Sequence, residues 1–235
     1  MSWTNSPARN SRDGYGVTMQ EKFRAAIEAQ HRREPGANAV KMRETMSSQP
    51  KTFVSPEEYL AQERLAERKS EYFQGEVFAM SGASRRHVWI AANVLGNLWQ
   101  QLKGKPCRVS ASDFRLRVTP AGLYTYPDVM VICGEPQFAD DQKDTVLNPV
   151  LIVEVLSEST RDYDRGWKLQ HYRKLPSLIE YLLIEQEEPR VEHWTRQREN
   201  HWDFVEIEDL AQSIELTSIG CILPVTEVYD KIEWS

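Results

Sequence analysis

The sequence predicts a mixed α/β layer fold with a central sheet. Residues 150–156, Val-Leu-Ile-Val-Glu-Val-Leu, are almost uninterruptedly apolar, the pattern of a strand covered on both faces. Residues 87–104 place Val88, Ala91, Ala92, Leu95, Leu98 and Leu102 at helical spacing, and Gly104 stops the run. Around these two, the segments order as helix, strand, strand, strand, helix, strand, with helices laid against a sheet.

In chain order, residues 1–50 come first. They are rich in Ser, Asn, Arg, Gly and Gln, with few bulky apolar residues at regular spacing. They read as a flexible extension, separate from a domain at 51–235. Weak helical spacing in 19–34 ends at Pro35-Gly36. Met42 and Met46 precede the domain start, so an upstream extension from a misassigned start codon and a genuine tail stand as equal alternatives.

Ser55-Pro56-Glu57-Glu58 is a helix start, with Ser as cap, Pro at the first position and Glu three residues past the cap. That helix is expected to reach Lys69. Residues 71–80 read as two short strands around Gly75, and the 87–104 helix follows. Residues 107–118 alternate, 119–123 turn, and 126–133 form a second strand, so the two are expected to make a hairpin. Residues 135–148 are polar and read as a loop. After the 150–156 strand come a helix at 161–175 and a buried strand at 177–186. Residues 190–197 and 201–208 form an added hairpin. Residues 216–232 are a last strand or loop with a short helix.

Composition narrows the function. The 235 residues hold 29 Lys+Arg and 35 Asp+Glu, a net charge of −6. Residues 1–50 carry +3 and residues 51–235 carry −9. The domain is therefore not basic overall, and any phosphate binding must come from a local patch or a bound cation. Arg85-Arg86, the Lys103–Arg108 cluster and Arg115–Arg117 are candidate patches, although for any single cluster a solvated surface is the stronger reading. No run approaches the ~20 apolar residues of a membrane span, and the N-terminus lacks the apolar core of a secretory signal. Cys107, Cys133 and Cys221 are widely spaced with no CxxC pair, so a zinc ribbon and a disulfide framework are not expected. A reduced, cytoplasmic protein is the expectation. Gly-rich nucleotide loops, HExxH and GxSxG are all absent. The tryptophans read as core or interface, with Trp167 beside Lys168 close to any cleft.

The candidate chemistry centres on Glu154. An isolated ionised carboxylate is costly to bury, so a Glu inside an apolar strand is paired, metal-bound or at the rim of a cleft. Asp128 opens the next apolar strand, Tyr126–Ile132, although Asp disfavours strands. Two carboxylates at the ends of neighbouring core strands are the minimum site for Mg²⁺, which takes one or two carboxylates plus water and phosphate oxygens. Asp164, Lys168 and Tyr172 are four residues apart and share a helix face. Lys168 facing the carboxylates would stabilise charge developing on a phosphorane-like transition state. Asp164 taken alone reads as a solvent-facing partner of Lys168. Glu71 is either a third acid or a surface residue. His87 is a cap, a phosphate contact or a structural histidine, and Asp113 leans to solvent.

Tyr126–Ile132, then Leu151–Thr160 (LIVEVLSEST), then D-x-x-x-K-x-x-x-Y over Asp164–Tyr172 resemble the Uma-two-type restriction endonuclease family of the PD-(D/E)XK nuclease superfamily. Residues 69–87 resemble that family's opening segment, and the resemblance runs over about residues 52–230. It implies a restriction-endonuclease-like mixed sheet flanked by helices. It also implies a Mg²⁺ site (Mn²⁺ as substitute) held by Asp128 and Glu154, with the Val155 carbonyl completing the shell. Lys168 would take the lysine role, because Leu156 stands where a plain ExK pattern has Lys. Glu71 and Tyr172 would match further cleft positions. The implied partners are nucleic acid, DNA first, and a second copy in a homodimer.

Two function classes follow. One is a metal-dependent phosphodiesterase acting on DNA, with RNA or another phosphodiester as a weaker variant. The other is a degenerate nuclease fold kept as a binding module, motivated by the displaced lysine and the −9 domain charge.

Overall fold

The computed structural model describes residues 53–119, 122–158 and 160–234. The proposed extension at 1–50 lies outside the described residues.

The first helix, α1 (Pro56–Glu63), starts where the capping pattern puts it. Ser55 Oγ accepts from the Glu58 amide at 3.2 Å, and the Glu58 carboxylate accepts from the Ser55 amide at 2.8 Å. It ends six residues short of Lys69. Glu63 turns inward to accept from the amide and hydroxyl of Ser70 and from Tyr126 Oη, which starts the next strand early. β1 (Ser70–Phe73) and β2 (Glu76–Ala79) then pair across a tight turn. Gln74 and Gly75 both have positive φ there, as a two-residue hairpin turn requires.

The long helix α2 (Arg85–Leu102) is capped by Ser84, whose Oγ accepts from the His87 amide. Its buried stripe is Ile90, Val94, Leu98 and Leu102. This corrects the expected phase: Val88 is 51% exposed and Ala92 is exposed, while Ala91 and Leu95 only flank the core.

The expected 107–133 hairpin forms but divides between two sheets. Its outer parts, β3 (Cys107–Ala111) and β6 (Val129–Cys133), pair antiparallel in a six-stranded sheet. Its inner parts, β4 (Arg115–Arg117) and β5 (Leu123–Thr125), pair in a five-stranded one. Pro127 has no amide hydrogen for a ladder, and the chain changes sheets beside it. The expected loop at 135–148 contains a two-residue strand, β7 (Thr145–Val146), which closes one edge of the smaller sheet, β2-β1-β5-β4-β7.

β8 (Leu151–Leu156) runs parallel to β9 (Glu180–Glu185), and both are buried along their whole length. Between them, the predicted helix begins as a π-helical turn, Tyr163–Lys168, and continues as α3 (Leu169–Tyr172). The predicted added hairpin, β10 (Val191–Arg198) and β11 (His201–Ile207), is not peripheral. β10 pairs with β9, so the hairpin extends the main sheet to the order β11-β10-β9-β8-β6-β3. β12 (Ser213–Leu216), β13 (Cys221–Pro224) and α4 (Val225–Val228) finish the chain.

Strand alternation sorts the layers. Val129, Val131, Val153 and Val155 face α2 and the C-terminal segment in one core. Met130, Ile152 and Leu156 face the other way, against Tyr163, Trp167, Tyr172 and the smaller sheet. Trp167, expected close to a cleft, packs in this second core against Phe73 and His171. Glu154 has the even parity of Ile152 and Leu156 and projects into this layer.

One expectation about cysteine is overturned. Cys107 and Cys133 are directly paired across β3 and β6 and joined by a disulfide, while Cys221 is free and buried. The 26-residue separation hides the pair because only the strand register brings the two sulfurs together. No helix among the described residues is long and apolar enough to cross a membrane.

Candidate active site

The β6–β8 register, Val129↔Val153, continued by one residue sets Asp128 opposite Glu154. Opposed residues of antiparallel strands share a face, so both carboxylates point to the same side of the sheet. They line a cleft of about 70 Å³ together with Glu71, His87, Asp164 and Lys168. Five elements converge there: β1, the start of α2, the break before β6, β8 and the π-helical turn.

Lys168 is the hub. Its Nζ lies 3.1 Å from Glu154 Oε1, 3.2 Å from Asp164 Oδ1 and 3.4 Å from Glu71 Oε1. Burial alone would lower its pKa, but Asp164, Glu154 and Glu71 override that and hold the ammonium charged, well above its ordinary value. Tyr172 Oη donates to Glu154 Oε1 at 2.7 Å. The predicted Lys168–Tyr172 face is therefore real and grips one oxygen of Glu154. Burial pushes the Glu154 carboxyl well above the ordinary carboxylate range; Lys168 opposes this, and Asp164 and Asp128 add to it.

Asp128 is fixed from both sides. His87 Nε2 is 2.9 Å from its Oδ1, and the Val155 amide donates to its Oδ2 at 2.7 Å. Burial would lower the His87 pKa, but the hydrogen bond to Asp128 reverses this and raises it. Glu71 is a buried cleft acid, not a surface residue. Tyr163 Oη donates to it at 3.0 Å and Thr125 Oγ1 donates to its other oxygen.

Asp164 departs from its solvent-facing expectation. It is 3% exposed and faces the cleft, because the π-helical turn rotates it inward with Lys168. Asp113, by contrast, leans to solvent as expected and pairs with Lys69. The sequence reading missed Tyr163, Thr125 and Tyr126. Thr125 reaches Glu71 across the β1–β5 ladder, Tyr163 reaches it from the π-helical turn and Tyr126 lines the cleft from the break before β6, and no spacing in the chain signals these meetings. Asp164 did carry a signal, its position four residues before Lys168.

Among the described residues, no three His, Cys, Asp or Glu side chains form a ready-made metal cage. The donor set still suits a hard cation in an open site. Glu71, Glu154 and Asp164 share one lysine, with Asp128 and its partner His87 beside them, and burial makes this gathering of acids costly. Mg²⁺ needs only one or two of these carboxylates, with water and phosphate oxygens supplying the rest.

Comparison with known proteins fits this geometry. Residues 56–226 match the Uma2 family, described as "Putative restriction endonuclease". The chain belongs to the Uma2 family. Two uncharacterized proteins of Synechocystis sp. (strain PCC 6803) are similar to it. Sll1609 is 39% identical over 155 residues, covering 66% of this chain and 88% of that protein. Slr1290 is 35% identical over 184 residues, covering 77% and 94%. A crystal structure of a putative nuclease belonging to DUF820 from Anabaena variabilis superposes with a TM-score of 0.62 at 16% identity. It covers 77% of this chain and 99% of that one. That likeness shows the fold. The Uma2 match contains all six cleft side chains, from Glu71 to Lys168.

Proposed function

We propose that this chain is a Mg²⁺-dependent nuclease that hydrolyses phosphodiester bonds in nucleic acid, with DNA as the first substrate to test. The observation that carries this reading is the gathering of Asp128, Glu154, Glu71 and Asp164 in one cleft with Lys168, which lies 3.1–3.4 Å from the last three.

Asp128 and Glu154 would hold the ion, Mg²⁺ or Mn²⁺, with the Val155 carbonyl as a further oxygen. When bound, such an ion neutralises phosphate charge and acidifies a water. The chain's own residues do the rest. His87 and the Val155 amide fix both oxygens of Asp128. Tyr172 and Lys168 fix Oε1 of Glu154. Lys168 keeps its proton and places positive charge where the attacked phosphate gains negative charge. A water oxygen bonds to phosphorus as the bond to the leaving oxygen breaks; the water releases one proton to solvent and the leaving oxygen takes one up from solvent. Double-strand cutting would take two such sites, hence a homodimer.

A second reading, a binding module without turnover, is favoured by one observation. Both oxygens of Asp128 are already engaged within the chain.

A cleavage time course on supercoiled plasmid and single-stranded DNA separates the two. It compares wild type with Asp128→Asn and Glu154→Gln in Mg²⁺, Mn²⁺ and EDTA. Metal-dependent cleavage by wild type, lost in both variants, supports the nuclease. Mg²⁺ at about 100 times its Kd should also stabilise the folded chain by about 2.7 kcal/mol. Folded wild type that cleaves nothing in any metal moves the assignment to the binding module.

A further inference from the structure

The outward face of α2 has no partner among the described residues. Arg85, Trp89, Ala92, Gly96, Trp99 and Lys103 follow one another at alternating spacings of four and three, which keeps them on a single stripe. Trp89 is 44% exposed and Trp99 is 56% exposed. The two indoles lie about 15 Å apart along the helix axis. Arg85 sits over the Trp89 ring at 5.0 Å and Lys103 over the Trp99 ring at 4.0 Å. Between them Ala92 and Gly96 leave the surface low, and nothing stands within 4 Å of the space a Gly96 side chain would take.

The charge on this face opposes that of the domain. A chain with 35 acidic residues has none in the 18 residues of α2, which opens with Arg85-Arg86 and is followed by Lys103 and Lys105. Among the residues lining the adjoining groove, Asn97, Gln100, Gln101, Ile222, Pro224 and Glu227, one is acidic. The same helix meets the cleft from another face: His87, two residues before Trp89 and about 200° round the axis from it, touches Asp128.

We infer that this stripe binds single-stranded nucleic acid, with unpaired bases stacking on Trp89 and Trp99 and phosphates meeting Arg85 and Lys103. Exposed aromatic faces interleaved with cations are what an unpaired strand recognises. A duplex keeps its base faces covered and offers them nothing to stack on. A second copy of this chain fits less well. Antiparallel self-pairing of α2 sets Arg85 against the other copy's Lys103, with no acid on the helix to separate them. Two half-exposed indoles also supply roughly 150–250 Å² per copy, against the roughly 800 Å² per partner of a stable interface. The inference rests on the nuclease reading only in naming the strand as substrate; the surface itself is independent of turnover.

The test is fluorescence anisotropy of a labelled 20-nucleotide oligothymidylate and of a matched duplex, in EDTA. Full-length wild type is compared with Trp89→Ala/Trp99→Ala and with Arg85→Glu/Lys103→Glu. Wild type should prefer the single strand. The tryptophan pair should weaken single-strand binding about 30-fold, the fold-change of two base stacks at the low end of their range. The charge-reversal pair keeps the indoles and should weaken binding and flatten its salt dependence. Unchanged single-strand affinity in both variants overturns the inference, as does equal loss for single strand and duplex. So does a wild-type dimer that the tryptophan variant converts to monomer with oligonucleotide affinity intact, which would make the face a self-interface. Metal-dependent plasmid cleavage by wild type, read separately, keeps the nuclease reading standing if the stripe fails. Absent cleavage with intact strand binding does the reverse.

Discussion

Replacing Lys168 with Met keeps the length of the side chain and removes its charge. In the native chain that ammonium is the cation within 3.1–3.4 Å of Glu154, Asp164 and Glu71, and its side chain is 8% exposed. Deleting one member of a buried ionic cluster typically costs about 3–5 kcal/mol, because the partners must either stay charged and unpaired or take up protons. A domain of this size loses roughly 2–4 °C of Tm per kcal/mol, so the melt should fall by about 6–20 °C at pH 8. The cost depends on pH with a definite sign. Glu154 and Asp164 already have raised pKa values, and without the ammonium they rise further. The folded variant then holds protons that the unfolded chain releases above its ordinary carboxylate pKa of about 4.3. Its stability therefore falls as pH rises and recovers as pH drops toward 5. Circular-dichroism melts in EDTA at pH 5.5 and pH 8 measure this directly. A loss below about 1 kcal/mol at pH 8 would refute the reasoning, as would a deficit that grows on acidification. Adding Glu154→Gln should return part of the loss, because the two sites are in contact and do not add.

Two further outcomes follow from the cores. His171 is stacked on Trp167 at 4.0 Å, its Nδ1 lies 2.9 Å from the Trp167 carbonyl oxygen, and burial lowers its pKa to about 4. Between that value and the ordinary 6.5 the unfolded chain binds a proton the folded chain does not. This contribution is therefore complete above pH 6.5 and lost as pH falls, by about 2 kcal/mol at pH 5; His171→Gln should flatten the urea-denaturation profile in that window. The disulfide between Cys107 and Cys133 closes a 26-residue separation, for which chain entropy gives about 3–4 kcal/mol. Melts with and without reductant should differ by several degrees, and Cys107→Ser/Cys133→Ser should abolish that difference.

How much of this was legible in the chain depended on distance along it. The strand around Glu154 could be read because an apolar run has one explanation, and α1 because a capping box is local. Lys168 and Tyr172 could be joined by helical spacing, and Glu154 and Asp128 by the cost of placing acids in apolar strands. What could not be read depended on register. The alternating strand from Cys107 to Val118 gives no sign that it leaves one sheet for another at Ser112–Asp113, so neither the disulfide nor the fixing of Asp128 by Val155 was visible. Asp164 was misjudged because an isolated i,i+4 ion pair ordinarily faces water. The π-helical turn that brings it inward answers to Tyr163 and Trp167 packing on Phe73, contacts about 90 residues away in sequence. The phase of α2 was off by one residue because Val88 and Ala92 are apolar yet exposed.

β8 lies in the interior of the six-stranded sheet, between β6 and β9, so each side of its backbone is hydrogen-bonded to another strand. Opening it means parting the sheet, and the groups that grip Glu154 come from a segment that is itself packed on that sheet. Glu154 thus sits in the part of the fold expected to open last, and amide exchange along β8 should report the unfolding of the domain as a unit. The outer surface of α2, which supports none of that packing, is decoupled from it. Substitutions on its exposed residues should therefore leave the packing around the acids unchanged.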